Sequence, residues 1–385
     1  MKPFATVPLQ TPRSGIREIM ERAAKVKEVI HLEVGQPDFP TPQHIVEATC
    51  KYLHQGYTKY VPNAGLDELR EAVARYFQRT TGITTEPDNI LITTGAITSC
   101  MTGLMATCDP GDQVLLPDPG WPNYEIAASL VHAKAVRYSL KPQRNFLPDM
   151  AELESLVTAK TKLLLSCSPS NPTGQVYDHD MMGKLVDFCH RHDLYLLSDE
   201  IYSQILFDTD HTSALLHDND ERTLIVSGVS KAYSMTGFRI GFTRARRDLI
   251  ELGAKLQEPL TSCASGFSQM AARDALEGNQ QCIGQMTAAY KRRRDIALEI
   301  LREYDLYRYT PGGAFYLLVD VSASGLDGRE FAFRLLDEQK VAVAPGTTFG
   351  NLSAGHVRIS FAAHEDEIKE GMHRLCKMIR DRTTT

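Results

Sequence analysis

Between residues 43 and 280 the chain holds the apolar runs Ile90–Ile92, Val114–Leu116, Leu163–Leu165, Tyr195–Leu197 and Leu224–Val226, none of which alternates apolar with polar residues. A strand with one wet face alternates; a strand buried on both faces does not. Helical patterns such as Asp149–Ala159 and Met181–Arg191 lie between some of the runs. Together these predict an α/β fold, a mostly parallel central sheet between helices. Ligands in such sheets bind beyond the carboxyl ends of the strands, so function is sought in the residues just after each run.

The texture changes near residue 285. Ala288–Tyr304 reads as one long helix, followed by strand candidates at Gly312–Asp320, Val341–Val343 and Val357–Ile359. The expectation is a large domain over residues 43–285 and a smaller α+β domain built from both chain ends, 1–42 and 286–385. With 385 residues, 43% of them hydrophobic, both can own a core. A net charge of −6 offers no field to attract nucleic acid. The basic cluster Lys291–Arg294 lies inside a helical pattern and reads as a solvated face.

The eight cysteines include no C-x-x-C pair and read as reduced thiols of a cytoplasmic protein. The first residues show no apolar core of a signal peptide. Asn89–Cys108, the nearest thing to a membrane span, is broken by Thr, Ser and Gly and reads as strand, turn and helix, so no membrane span is expected. His190 and His192 sit two apart on a predicted helix and point in different directions, so no metal site is expected there.

Each strand exit has an ordinary explanation and a sharper one. Gly95-Ala96-Ile97 makes a tight turn, or lets backbone N–H groups meet an anion at a helix start. Trp121, the only tryptophan, packs a core or stacks on a ring. Asn171-Pro-Thr-Gly174 is a turn sequence. Asp199, before Glu200-Ile-Tyr202, caps a helix or pairs with a buried cation, since an acid at the end of a buried strand is costly alone. Lys231, in Ser227-Gly-Val-Ser230-Lys231, is a surface charge or an amine that forms a Schiff base, with Arg239 fixing a phosphate nearby.

The stretch Ser230-Lys231 through Met235-Thr-Gly-Phe-Arg239-Ile-Gly241 closely resembles the lysine segment of fold-type I pyridoxal-phosphate enzymes, and more narrowly the class I/II aminotransferases of the aspartate aminotransferase superfamily. The other exits follow in family order, from Ser14 to Ile359. The resemblance implies pyridoxal 5'-phosphate on Lys231, with Asp199 at its pyridine nitrogen and Tyr202 and Asn171 at its phenolic oxygen. It implies Trp121 on the ring, and Gly95, Ala96, Ile97 and Arg239 at the phosphate; Ser230 is expected to substitute there for a phosphate-binding Ser or Thr of relatives. Tyr60 matches a tyrosine that reaches the neighbouring subunit's cofactor, which implies a homodimer. Gly35, Asn171 and Arg358 would meet the substrate, and Arg358 suits a bidentate grip on its α-carboxylate, unless it forms a structural ion pair.

Ile16 and Arg17 match the segment that lines the substrate side, although Arg17 has Glu18 and Glu21 as alternative partners on a helix. One departure stands out: many relatives carry Ser or Thr three residues before the lysine, where this chain has Gly228. The implied reaction is ping-pong transfer of an α-amino group from an L-amino acid to a 2-oxo acid, with Lys231, Asp199 and Tyr202 as catalytic residues. Elimination or replacement at Cβ or Cγ on the same scaffold is the alternative, and a non-enzymatic regulator a more distant one.

Overall fold

The computed structural model describes residue 2, residues 4–11 and residues 14–383. After β1 (Ile30–His31), seven strands build the large sheet: β2 (Ile90–Thr93), β3 (Gln113–Asp118), β4 (Lys134–Ser139), β5 (Thr161–Cys167), β6 (Tyr195–Asp199), β7 (Thr223–Gly228) and β8 (Gly241–Arg244). Their spatial order is β2-β8-β7-β6-β5-β3-β4, and only β8 runs against its neighbours. The five apolar runs form β2, β3, β5, β6 and β7, and every residue of β2 and β7 is buried. Asp149 and Asp178 cap the helices Met150–Leu156 and His179–Arg191, their side chains accepting from Ala151 N and Met181 N.

β4 and β8 escaped the apolar-run criterion for opposite reasons. β4 is an edge strand, and most of it is only half-buried, so it needs no apolar run. β8 is fully buried yet carries Gly241, Thr243 and Arg244.

The remaining strands are β9 (Tyr316–Asp320), β10 (Val341–Ala342), β11 (Ala344–Pro345) and β12 (His356–Ser360). β11, β12 and β9 form an antiparallel sheet, while β10 pairs in parallel with β1, so the start of the chain is stitched to its last third. The expected single strand at Val341–Val343 is divided, Val343 being the point where the chain passes from one sheet to the other. The strand expected from Gly312 starts at Tyr316, because Gly312 N and Gly313 N both donate instead to Gly174 O. The long helix runs Gln281–Glu303.

Two expectations are corrected. The short helix Thr6–Gln10 lies against Pro122–Leu130, beside the large sheet rather than with the chain's C-terminal third. The basic cluster is only partly a solvated face, since Arg293 and Arg294 are buried. Arg293 forks onto Asp38 with two 2.8 Å bonds and stacks on Phe39, whereas Arg294 bonds Pro311 O and lies over Phe207. Guanidinium planes can be buried when paired and stacked, and sequence spacing does not report that.

Candidate active site

A cavity of about 400 Å³ opens at the carboxyl ends of the parallel strands. Asp199, the last residue of β6, is 3% exposed and lines it. Its Oδ2 accepts from Tyr124 OH at 2.6 Å and its Oδ1 from Ile201 N at 3.1 Å. Burial nevertheless pushes this carboxyl up to about 6, against the lowering effect of those two donors and of Lys231. The cap expected here became a two-residue turn, with no helix starting at Asp199.

Lys231 follows β7 on a turn, and its Nζ donates to Gly35 O at 2.7 Å. Desolvation, with the charges of Arg358 and Arg239, brings its ammonium down to about 8; Asp199 opposes the shift. A lysine that loses its proton this readily is a nucleophile near neutral pH.

The two arginines take different roles in the geometry. Arg358, on β12, is 1% exposed. Its Nη1 donates to Asn171 Oδ1 at 3.0 Å, its Nη2 to Glu33 O at 2.5 Å, and it lies 4.4 Å from the Tyr316 ring centre. It forms no salt bridge among the described residues, and its Nε is buried without a partner. The structural ion pair considered above is therefore absent. Arg239 is exposed, with a left-handed backbone, and its guanidinium packs on Gly95, where an added Cβ would come within 2.4 Å of Nη2. Gly95 itself has φ +83° and precedes the helix Ala96–Thr107, whose start no side chain caps. Ala96, Ile97 and Ser230 line the cavity beside it.

The family model for aminotransferase class I and II matches residues 27–377. The chain belongs to the class I and II aminotransferases. It is 38% identical over 377 residues to an aspartate aminotransferase of Pyrococcus abyssi, covering 97% of each chain. It is 36% identical over 374 residues to an aromatic-amino-acid aminotransferase of Thermococcus litoralis, covering 96% of each. The structure of the Thermus thermophilus aspartate aminotransferase with maleate superposes with a TM-score of 0.94, at 34% identity, covering 98% of this chain and 100% of that one. The enzyme is a pyridoxal-phosphate-dependent aminotransferase, and nothing favours elimination or replacement over transamination.

The residues present fit that cofactor. A carboxylate that burial raises suits a pyridinium partner, and a glycine turn under an arginine at an uncapped helix start suits a phosphate. Gly228 also explains the departure from the family pattern. It pairs with Gly241 across β7 and β8, where an added Cβ would meet Ile240 O at 2.8 Å, so a larger residue does not fit.

Of the residues expected at the site, Ile16, Arg17, Gly35, Ala96, Ile97, Trp121, Asn171, Asp199, Tyr202, Ser230, Lys231, Arg239 and Arg358 line the aminotransferase's cavity. Gly95 lies just behind it under Arg239. Tyr60 does not join them: it stands 88% exposed on the surface. Arg17 is exposed and makes no ion pair among the described residues, while Glu18 pairs with Arg329 at 2.5 Å.

Sequence reasoning missed Tyr124 and Tyr316. Tyr124 stands one helical turn after Trp121, edge-on to it at 5.4 Å; that spacing was the available signal. Tyr316 OH lies 2.8 Å from Tyr202 OH, a contact between β9 and the distant turn after β6, with no local signal. His190 and His192 bond Asp220 and Glu154 separately, at 2.7 and 2.6 Å, and no group of three metal-ligating side chains occurs among the described residues. No described helix is long and apolar enough to cross a membrane.

Proposed function

We propose that Lys231 holds pyridoxal 5'-phosphate through its ε-amine and carries the proton removed from the substrate Cα, while the α-amino group passes from an L-amino acid to a 2-oxo acid in two successive half-reactions. The observation that carries this reading is the convergence of Lys231, Asp199 and Arg358 on one cavity, with the lysine brought down to about 8. When bound, the cofactor supplies the electron sink that makes the Cα proton removable. Asp199 would keep the pyridine nitrogen protonated, Tyr202 and Asn171 would bond the phenolic oxygen, and Trp121 would stack on the ring. Gly95, Ala96, Ile97, Ser230 and Arg239 would hold the phosphate.

Arg358 grips the α-carboxylate with Gly35 and Asn171 beside it, its unpartnered Nε being support for an incoming anion. Arg358 orients Cα toward Lys231, which is what positioning contributes to rate. The substrate side chain meets Ile16 and Arg17. An acidic or aromatic side chain is proposed, supported by the aspartate and aromatic names of the relatives and by Arg17, without an ion pair among the described residues, beside apolar Ile16.

The working form is a cytoplasmic homodimer, with Tyr60 of each subunit reaching its neighbour's phosphate; the 88% exposure of Tyr60 supports this. Residues 43–285 form the cofactor domain and residues 1–42 with 286–385 the small one, except that the helix Thr6–Gln10 reaches back onto the cofactor domain. The test is a single half-reaction. Loaded enzyme mixed with one amino acid and no acceptor should release one equivalent of 2-oxo acid per site and stop. Continued turnover with ammonia release would overturn transamination.

A further inference from the structure

Glu33 is a carboxylate buried behind the arginine that faces the cavity, and it does not itself line that cavity. It is 1% exposed and sits two residues before Gly35. Its backbone oxygen accepts from Arg358 Nη2 at 2.5 Å. Its side chain meets His31 Nδ1 through Oε1 at 2.9 Å, and Oε2 is buried with no hydrogen-bond partner among the described residues. His31, at the end of β1, is half-exposed. The charge of Glu33 acts on Arg358, favouring the protonated guanidinium.

Other elements add little charge here. β10, the neighbour of β1, brings Val341 and Ala342. The C-terminal helix Glu365–Thr383 meets β1 through Gly371, beside Ile30 and Leu32, and its Glu370 and Arg374 pair with each other at 2.7 Å. A negative charge fixed behind a carboxylate-binding arginine weakens the pull on an incoming anion, and an imidazole hydrogen-bonded to that charge offsets part of it and restores the pull.

We infer that Glu33 and its hydrogen-bonded partner His31 form a pair that sets how tightly Arg358 holds the substrate α-carboxylate. The inference rests on the reading of Arg358 given above. Glu33 loosens the grip and His31 tightens it by offsetting Glu33. Neither touches the reacting atoms, so both are positioning residues. Substrate and product of each half-reaction share the α-carboxylate, so a moderated grip lets product leave.

The experiment measures KM and kcat for one amino donor, at fixed pH and ionic strength, in wild type, Glu33→Gln, His31→Ala and the double variant. Glu33→Gln is expected to lower KM roughly three- to tenfold with kcat unchanged. His31→Ala should raise KM by a similar factor, and the double variant should match Glu33→Gln. Damage to the fold does not tighten binding, so the fall in KM separates charge tuning from a merely structural role. An unchanged or raised KM in Glu33→Gln, or an effect of His31→Ala that persists without Glu33, overturns the pair. Arg358→Gln separates the two levels. If it raises KM while Glu33→Gln does not lower it, only the pair fails; if it leaves KM unchanged, the Arg358 reading fails and the pair with it.

Discussion

Tyr124 donates its hydroxyl to Oδ2 of Asp199 at 2.6 Å, joining the helix that starts beside Trp121 to the carboxyl end of β6. Both residues are buried, and the bond works against the desolvation that lifts the Asp199 carboxyl. Without it the acid protonates more readily and attracts a cationic ring less. Tyr124→Phe is expected to weaken cofactor binding about tenfold, the equivalent of one pKa unit. Titration of apoenzyme with pyridoxal phosphate, followed by visible absorbance, measures it; unchanged affinity would leave the bond a purely structural one.

The raised carboxyl of Asp199 also predicts how the cofactor-free protein responds to pH. Between its unfolded value near 4 and its folded value of about 6, the native state holds a proton that the unfolded chain has lost. Stability from this group is therefore full below pH 4 and falls as pH rises through 6, by on the order of 2–3 kcal/mol. Asp199→Asn should flatten that slope in urea unfolding of the apoenzyme between pH 4 and 7. A wild-type slope identical to that of the variant would refute the assignment.

Why these two residues were unequally legible is a matter of range. Asp199 ends an apolar run, and burial of such an acid is visible in the sequence as a conflict needing a partner. Tyr124 is one turn from Trp121, yet nothing local says which side chain it faces across the sheet edge. The apolar runs likewise gave away β2, β3, β5, β6 and β7, because burial on both faces leaves no room for polar residues. The edge strand β4 and the buried polar β8 obey no such pattern. Arg293 and Arg294 were misjudged because a guanidinium's burial depends on Asp38, Phe39 and Phe207, which the chain brings from far away.

Lys231 gives a kinetic prediction. Its amine, brought down to about 8, should capture pyridoxal phosphate at a rate that rises about tenfold per pH unit below 8 and levels off above it. Stopped-flow absorbance of the apoenzyme across pH 6–10 measures this. Lys231→Ala should show neither covalent capture nor turnover. A rate that keeps rising to pH 10 would mean an ordinary lysine.

Two glycines in one segment make a controlled pair. A Cβ on Gly241 would stand 2.3 Å from Ala96 N and 2.5 Å from Gly95 C, backbone that has to shift with the phosphate turn. A Cβ on Gly237 meets nothing within 4 Å. Gly241→Ala is expected to weaken cofactor binding at least tenfold, consistent with overpacking costs of about 1–3 kcal/mol, while Gly237→Ala should bind as wild type. Equal affinities by the same absorbance titration would remove the turn from the phosphate site.

Arg358 tests what geometry adds to charge. Its guanidinium is held flat by the rings of Tyr316 and Phe349, at 4.4 and 4.9 Å, and by bonds to Asn171 and Glu33. Lysine keeps the charge but presents a point donor on a flexible stem, and it cannot fork onto both oxygens of a carboxylate. Losing that fork in a buried site costs about 2–3 kcal/mol, so Arg358→Lys should raise KM for amino donor and acceptor roughly 30- to 150-fold. The loss should fall mainly on KM, because the ion pair forms on binding and persists through proton transfer at Cα. Steady-state kinetics with both substrates decides it: a loss confined to kcat would move Arg358 from holding the carboxylate to supporting Lys231, whose charge it also perturbs.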